Sequence, residues 1–361
     1  MDSLKYIKGY SKSYIHRFII LAWINKRDVI IKNFTKCDDT IATLNALYSD
    51  YKIIGGDLYL SACDIIHEDE FYVGESGSTL RFLIPLMLNG KTVKFHTKGR
   101  LARRPLDVYK KLILSEGGFF EINDNVITIR GILNKKSYNI STEESSQFVS
   151  GMLLASNGRY DVIYRAKNSR QYIDITNDAI NMFKNNPKVV YTPVDMSNYA
   201  LFYALYKKHL IEKIDKPIAR CQNDKVFIDY VDKIRKVYDL KNSIDLAPML
   251  AAYLSTIDGE FTIKGLKNLK LKESNRLREI LRVLRFFDVS CNTDGKDRIF
   301  IKGSSFKKNI KGLIYVNDHR ICHMALFLKY FYNAYLKIMG LKSLKKSDEN
   351  IYKYFKRRQD V

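Results

Sequence analysis

Cations stand where helices should begin. The apolar residues Leu277, Ile280, Leu281, Leu284 and Phe287 recur at helical spacing. They predict a helix capped by Ser274, with Arg276 in its first turn. The macrodipole makes that end of a helix positive and disfavours a cation there. Arg17, Arg81, Arg104 and Arg320 also fall at or within about a turn of a predicted helix start. One such placement is a local accident. Five constrain the chain to a fold rich in strand-to-helix junctions, whose helix N-termini gather in two domains around a shared anion.

The chain has 361 residues, room for about two domains of ~150 residues. Hydrophobic residues make up 46%, which supports a sizeable core and excludes a disordered chain. Lys and Arg number 61 against 39 Asp and Glu, a net charge of +22. That surplus fits polyanions, acidic lipid surfaces or small anionic substrates as partners, or a general Lys/Asn/Ile/Tyr bias. Cys37, Cys63, Cys221, Cys291 and Cys322 are scattered without metal-ligand spacing, so reduced cytosolic thiols are expected. No window reaches the ~18 uninterrupted apolar residues of a membrane span. The opening stretch also lacks the apolar core of a secretory signal. A soluble cytoplasmic protein is expected.

Several loops carry candidate chemistry. Lys12 and Arg17 lie at the start of a helix expected from Ser13 to Asn25, which Ser13 can cap. Gly74-Glu75-Ser76-Gly77-Ser78-Thr79 runs into an apolar helix and offers backbone N–H groups suited to phosphate. It has neither dinucleotide nor P-loop spacing. Arg100, Arg103 and Arg104 cluster before Pro105, which fits the first position of another helix. Ser141 and Glu144 match a capping box, leaving Ser145, Ser146 and Gln147 as hydrogen-bonders for a hydroxylated ligand. The segment from Pro187 to Pro193 reads as a crossing between domains. Asp245 heads a further helix as an N-cap or as a catalytic base. Glu273, between Lys272 and Arg276, is placed to move a proton on a docked anion. His319 and His323 are spaced i, i+4 but lack a third zinc ligand, so capping or packing is expected of both.

In order along the chain, Lys12-Ser13 with Arg17, Glu75-Ser76-Gly77-Ser78 with Arg81, Arg100 with Arg104-Pro105, Ser145-Ser146-Gln147-Phe148, Lys272-Glu273-Ser274 with Arg276, and Asp318-His319-Arg320 resemble the motifs of the 5-enolpyruvylshikimate-3-phosphate synthase family of enolpyruvyl transferases. The resemblance spans nearly the whole chain. It implies an α/β fold of two domains, each of three repeated β-α units forming an inside-out barrel, with the active site in the cleft between them. The domains implied are 12–192, and 1–11 with 193–361. It implies addition of the 5-hydroxyl of shikimate 3-phosphate to phosphoenolpyruvate with release of phosphate, in a monomer that needs no metal or organic cofactor. Lys12, Gly77, Arg100, Gln147, Arg276, Arg320 and Lys346 would hold phosphoenolpyruvate. Lys12, Ser13, Arg17, Ser145, Ser146, Gln147, Ser169, Asp245, Asn268 and Lys272 would hold shikimate 3-phosphate. Asp245 would accept the hydroxyl proton, Glu273 would serve proton transfer at the methylene carbon, and Lys12 would assist catalysis.

The chain departs from the family pattern in places. Glu75 replaces the usual Asn, Asn275 the usual Asp, and Gly99 the usual Pro, while Tyr10 lengthens the Gly-Ser turn. After Lys346-Ser347 comes Asp348-Glu349-Asn350 instead of Phe-Pro. Two rivals remain at this stage. Enolpyruvyl transfer to UDP-N-acetylglucosamine would carry Lys-x-Asn at the first site, where Lys12-Ser13 stands, and a reactive Cys in the Arg100–Pro105 loop, which has none. A basic RNA-binding αβ-repeat module explains the charge but not Glu273, Asp245 and the Ser-Ser-Gln cluster.

Overall fold

The computed structural model describes residues 4–62, 69–165, 170–306 and 309–359. The chain forms two compact units, Tyr10–Pro193, and Met1–Gly9 together with Val194–Val361. One repeating pattern builds both.

The first unit contains α1 (Lys12–Ile24), β1 (Val29–Lys32), α2 (Asp38–Leu47), β2 (Lys52–Ile54), β3 (Asp57–Leu60), β4 (Glu70–Gly74), α3 (Gly77–Leu86) and β5 (Val93–Thr97). It continues with α4 (Asp107–Ser115), β6 (Phe119–Asn123), β7 (Val126–Arg130), β8 (Ser137–Asn139), α5 (Gln147–Ser156), β9 (Asp161–Ile163), α6 (Gln171–Phe183) and β10 (Val189–Tyr191). Strands β4 and β5 are parallel and joined through α3, as parallel strands need a crossover. After α4 the β6–β7 hairpin returns antiparallel onto β5, giving the order β4-β5-β7-β6. Its turn uses Asp124 at φ +50°, a conformation Asp tolerates better than most side chains. The sheet β10-β1-β3-β2 has the same order, with the unit's last strand parallel to its first. The pair β8/β9, flanking α5, is the same opening without the hairpin.

The second unit contains α7 (Met196–Lys207), α8 (Val226–Asp232), β11 (Val237–Asp239), α9 (Ala247–Leu254), β12 (Gly259–Lys264) and α10 (Arg276–Phe286). Then come β13 (Ser290–Thr293), β14 (Ile299–Gly303), β15 (Lys311–Tyr315), α11 (His319–Tyr332), β16 (Tyr335–Met339) and α12 (Glu349–Gln359). Its sheet β11-β12-β14-β13 repeats the order seen twice before. The parallel pair β15/β16 flanks α11, and a lone parallel bridge from Leu4 to Ile211 flanks α7. The connection between the units is drawn into the repeats. In the second unit Asp195 N donates to Gly9 O at 3.0 Å, and in the first Ser11 N donates to Pro193 O at 2.9 Å.

In each repeat the helix between the two parallel strands is the buried one. Every residue of α9 is buried, as is Tyr14–Trp23 of α1, the behaviour of helices apolar on all sides. Helices α7, α9 and α11 share a core that includes Leu201, Phe202, Leu250, Met324 and Phe327. Helix α10 is amphipathic, with Leu277, Ile280, Leu281 and Leu284 inward and Arg278 and Arg285 exposed. Among the described residues no helix is long and apolar enough to cross a membrane.

Local starts differ from the sequence expectations where a side chain found a better partner. Asn275, not Ser274, caps α10, accepting from Arg278 N, while Ser274 Oγ donates to Asp318 Oδ2 at 3.0 Å. The Ser141–Glu144 capping box does not form. Ser141 Oγ instead accepts from Glu143 N at 3.2 Å, and α5 begins later, at Gln147. Helix α1 starts after Ser11 and not at Ser13. Pro105 precedes α4 without being its first residue.

Candidate active site

Lys12, Ser13 and Arg17 lie in the first turns of α1. Most of the other expected ligand residues that are described lie where a strand's carboxyl end turns towards the next helix. This is the end of a βα unit where ligands bind and backbone N–H groups are free. Each unit carries its own set.

In the second unit Arg276, the first residue of α10, is 2% exposed and faces three carboxylates. Its Nη1 donates to Asp245 Oδ1 at 2.6 Å and its Nε to Asp318 Oδ2 at 2.8 Å, and Nη2 lies 3.8 Å from Glu273 Oε2. Asp245 sits on the 3-10 turn Ile244–Leu246 before α9 and makes no cap. Its carboxylate also lies 3.2 Å from Lys272 Nζ. Asp318 is the one that caps a helix, accepting from Arg320 N at 2.9 Å. His319 does not merely pack, as its Nδ1 lies 2.9 Å from Glu273 Oε2. Lys346 Nζ is 4.0 Å from Glu273 Oε1. Asn268 is half-buried on the 3-10 turn Lys267–Leu271, and Arg320 is buried near the start of α11 with Nη1 lacking a hydrogen-bond partner. His323 stays within the helix core, and burial together with Arg320 holds it well below the usual imidazole range, hence neutral.

Burial favours the neutral form of Glu273, but His319, Lys346 and Arg276 outweigh it and hold the carboxyl well below its ordinary range. Burial likewise opposes ionisation of Asp318, and Arg276 overcomes it. Burial opposes the charge on Arg276, and its acidic neighbours more than restore it. The donor atoms of Glu273, Asp318 and His319 lie within 4.8 Å of one another. That is a set that could ligate a metal, but the Arg276 guanidinium already supplies the positive charge among them.

In the first unit Lys12 Nζ, at the start of α1, is 2.8 Å from Asp39 Oδ2. Arg17 is 2% exposed and spends its donors on Thr176 Oγ1, Ser13 O, Tyr172 O and Ser150 Oγ. At α3, Ser76 caps with Oγ accepting from Thr79 N. A Cβ on Gly77 would lie 2.7 Å from Arg104 Nη1 and 3.0 Å from Arg81 Nη1, so a larger residue there would push the guanidiniums aside. Gln147 Nε2 donates to Ser78 Oγ at 3.0 Å, and its Oε1 accepts from Arg81 Nη1 at 3.2 Å. Ser145 Oγ accepts from Gln147 N at 3.2 Å, while Ser146, just before α5, is buried and makes no side-chain cap. Arg100 is exposed. The exposed Glu75 lies over Gly99, where a Cβ would be 1.8 Å from Glu75 Oε1. Ser169 lies outside the described residues.

The family model described as EPSP synthase (3-phosphoshikimate 1-carboxyvinyltransferase) matches residues 7–193 and 203–352. The chain belongs to that family. Curated relatives named 3-phosphoshikimate 1-carboxyvinyltransferase include one from Clostridium perfringens, 28% identical over 364 residues, covering 86% of this chain and 85% of that protein. Another, from Clostridium kluyveri, is 28% identical over 401 residues and covers 96% and 92%. Among solved structures, EPSP synthase from Acinetobacter baumannii superposes with a TM-score of 0.73 at 18% identity, covering 98% of this chain and 95% of that one. The enolpyruvyl transferase NikO from Streptomyces tendae gives 0.68 at 12% identity, covering 97% and 93%. The fold is thus that of the EPSP synthases and enolpyruvyl transferases.

Asp39, the partner of Lys12, stands outside every motif of this EPSP synthase family chain. The motifs do carry Asp318, His319 and Arg81, but not their contacts. The bonds of Asp318 to Arg276, of His319 to Glu273 and of Arg81 to Gln147 join residues 42, 46 and 66 apart, which no local pattern shows.

Proposed function

We infer that the chain transfers the enolpyruvyl group of phosphoenolpyruvate to the 5-hydroxyl of shikimate 3-phosphate and releases phosphate. The family match over both units supports the reaction, and the contacts of Glu273 with His319, Arg276 and Lys346 are the observation that carries the residue roles. The hydroxyl oxygen bonds to C2 of phosphoenolpyruvate while its proton passes to Asp245 and another proton is added at the C3 methylene. The C2–O bond to phosphate then breaks as a proton leaves the methyl, restoring the alkene. One group must give and then take a proton at C3, and Glu273 is proposed for it. At rest Lys346, Arg276 and His319 keep Glu273 ionised. A substrate carboxylate or phosphate beside those cations cancels their pull, so the carboxyl can bind the proton it must donate. His319 Nδ1, at 2.9 Å, is within proton-transfer reach.

The remaining roles follow the motif matches. Lys12, Gly77, Arg100, Gln147, Arg276, Arg320 and Lys346 are proposed for phosphoenolpyruvate. Lys12, Ser13, Arg17, Ser145, Ser146, Gln147, Ser169, Asp245, Asn268 and Lys272 are proposed for shikimate 3-phosphate. Fixed cations in surroundings that exclude water would stabilise the charge that develops on the leaving phosphate. The proposal extends to a cytoplasmic monomer acting on small molecules, without nucleic acid or cofactor. The test is phosphate release with phosphoenolpyruvate and either shikimate 3-phosphate or UDP-N-acetylglucosamine. Release only with the first acceptor is expected, and folded protein silent with both would overturn the reading.

A further inference from the structure

The turn that carries Lys346 is held by a buried polar cluster. Leu341–Lys346 is a 3-10 turn after β16, and Leu344 O accepts from Ser347 N at 2.9 Å and from Asp348 N at 2.8 Å. Lys346 therefore sits in a loop closed on the buried Leu344. Its Nζ ends 4.0 Å from Glu273 Oε1. The next two residues tie that loop to other elements of the same unit. Ser347 is 2% exposed and its Oγ donates to Asn198 Oδ1, in α7, at 2.9 Å. Asp348 is 1% exposed and starts α12, its Oδ1 accepting from Asn350 N at 2.8 Å and Ile351 N at 3.3 Å. Asn198 is fixed in turn, because its N donates at 2.9 Å to Asp195 Oδ1, the carboxylate that caps α7.

Stability alone does not account for this cluster. Asp348 Oδ2 and Asn198 Nδ2 are buried with no hydrogen-bond partner among the described residues, and an unpaired buried polar group is destabilising. Both flank one spot. A Cβ on Gly9 would lie 2.8 Å from Asp348 Oδ2 and 3.4 Å from Asn198 Nδ2. Gly9 ends the N-terminal segment of this unit, and its O accepts from Asp195 N at 3.0 Å. Glycine there lets both side chains close on the backbone. Asp348 stands where the family pattern has Phe, so filling the space does not require a carboxylate. Hydrogen bonds fix a direction that apolar contacts leave loose. The residue that gains from this is Lys346. A lysine ammonium rides on a flexible four-carbon stem, so it is placed only as well as its backbone is.

We propose that Asn198, acting through Ser347, is a positioning residue for Lys346: the Asn198–Ser347 bond, backed by Asp348 against Gly9, clamps the turn so that the Lys346 ammonium stands beside Glu273. The effect on catalysis rests on the proposed reaction, in which Lys346 holds phosphoenolpyruvate. The clamp itself does not rest on it.

Two measurements keep those levels apart. Steady-state kinetics are run on the wild type, Asn198→Ala, Ser347→Ala, Lys346→Met and the double variant Asn198→Ala/Lys346→Met. Crystal structures of the wild type and the two alanine variants give a readout that needs no turnover. Either alanine variant should raise KM for phosphoenolpyruvate about three- to tenfold, the effect of one lost neutral hydrogen bond, with a smaller change in kcat. Asn198→Ala should add nothing once Lys346 is Met, because the two residues act as one unit. In the crystals the alanine variants should show Lys346 displaced from Glu273. A purely structural role would lower the melting temperature and leave both Lys346 and KM where they were, and that result overturns the proposal. An undiminished effect of Asn198→Ala in the Lys346→Met background also overturns it. Should Asn198→Ala not fold, Ser347→Ala decides by its KM and its crystal structure. A Lys346 that moves in the variants while Lys346→Met leaves KM unchanged would sink the proposed role of Lys346 and leave the clamp standing.

Discussion

Arg276→Met offers the sharpest test of the charge network. The guanidinium is 2% exposed and lies within 2.6 to 3.8 Å of Asp245, Asp318 and Glu273. Removing one partner of a buried ion pair costs about 3–5 kcal/mol, because the other charge is left behind. Each acid here keeps a second partner. Lys272 remains beside Asp245, Ser274 beside Asp318, and His319 and Lys346 beside Glu273. The lower end, about 3 kcal/mol near neutral pH, is therefore expected. The dependence on pH is more telling than the size. In the wild type Glu273 and Asp318 titrate below their unfolded values, partly because of Arg276. Their stabilising contribution is present above the unfolded carboxylate range and is lost as pH falls through the folded values. Without Arg276, burial raises the Asp318 carboxyl, while His319 and Lys346 still hold Glu273 down, and the penalty at Asp318 is present at neutral pH and relieved as pH falls. Urea unfolding of both proteins at about pH 7 and about pH 5 should show the gap between them narrowing in acid. A gap that is constant with pH, or below about 1 kcal/mol at neutrality, would refute the reasoning.

Four further outcomes are expected. Lys272→Ala should abolish calorimetric binding of shikimate 3-phosphate with little change in melting temperature, since Lys272 is only half-buried and Asp245 retains Arg276; a large loss of stability would make it structural. Glu273→Gln should lower kcat by roughly 10²–10⁴-fold with a smaller effect on either KM, and activity within threefold of wild type would remove Glu273 from proton transfer. Glu75→Asn should lower KM for phosphoenolpyruvate several-fold by removing a negative charge next to the N-cap of α3, and a raised KM would contradict this. Burial pushes the Asp348 carboxyl up to about 6, and its Oδ2 has no hydrogen-bond partner while Oδ1 accepts from Asn350 N and Ile351 N. Its folded value lies above its unfolded one, so ionisation destabilises the fold as pH rises between them. Asp348→Asn keeps the capping oxygen and should raise the melting temperature at about pH 7 but not at about pH 4; equal shifts at both would show that charge is not the cause.

What the sequence could reveal follows from the range of each interaction. Apolar residues at helical spacing marked α1, α9 and α10, because burial of a helix, on one face or all round, leaves a local pattern. Arg276 and Arg320 were legible because a cation in a first helical turn conflicts with the dipole within a few residues. Side-chain pairings across repeats were not. Ser274 looked like the cap of α10 until Asp318, 44 residues on, took its hydroxyl and left Asn275 to cap. Ser141 and Glu144 had the right spacing for a box, yet the chain bends at Glu143 and Glu144 and turns helical only at Gln147. Asp245 could be a cap or a base in sequence, and its bonds to Arg276 and Lys272 show that it does not cap. The order shared by the sheets β4-β5-β7-β6 and β11-β12-β14-β13 is likewise invisible in composition, because it is set by pairing between strands separated in the chain.

The most direct test of the account is product stoichiometry, read by mass spectrometry of the acceptor alongside phosphate release. Shikimate 3-phosphate should gain one enolpyruvyl unit for each phosphate freed, with neither product formed when either substrate is omitted. Phosphate freed from phosphoenolpyruvate alone, or an acceptor that never gains mass while the protein is folded, would contradict it.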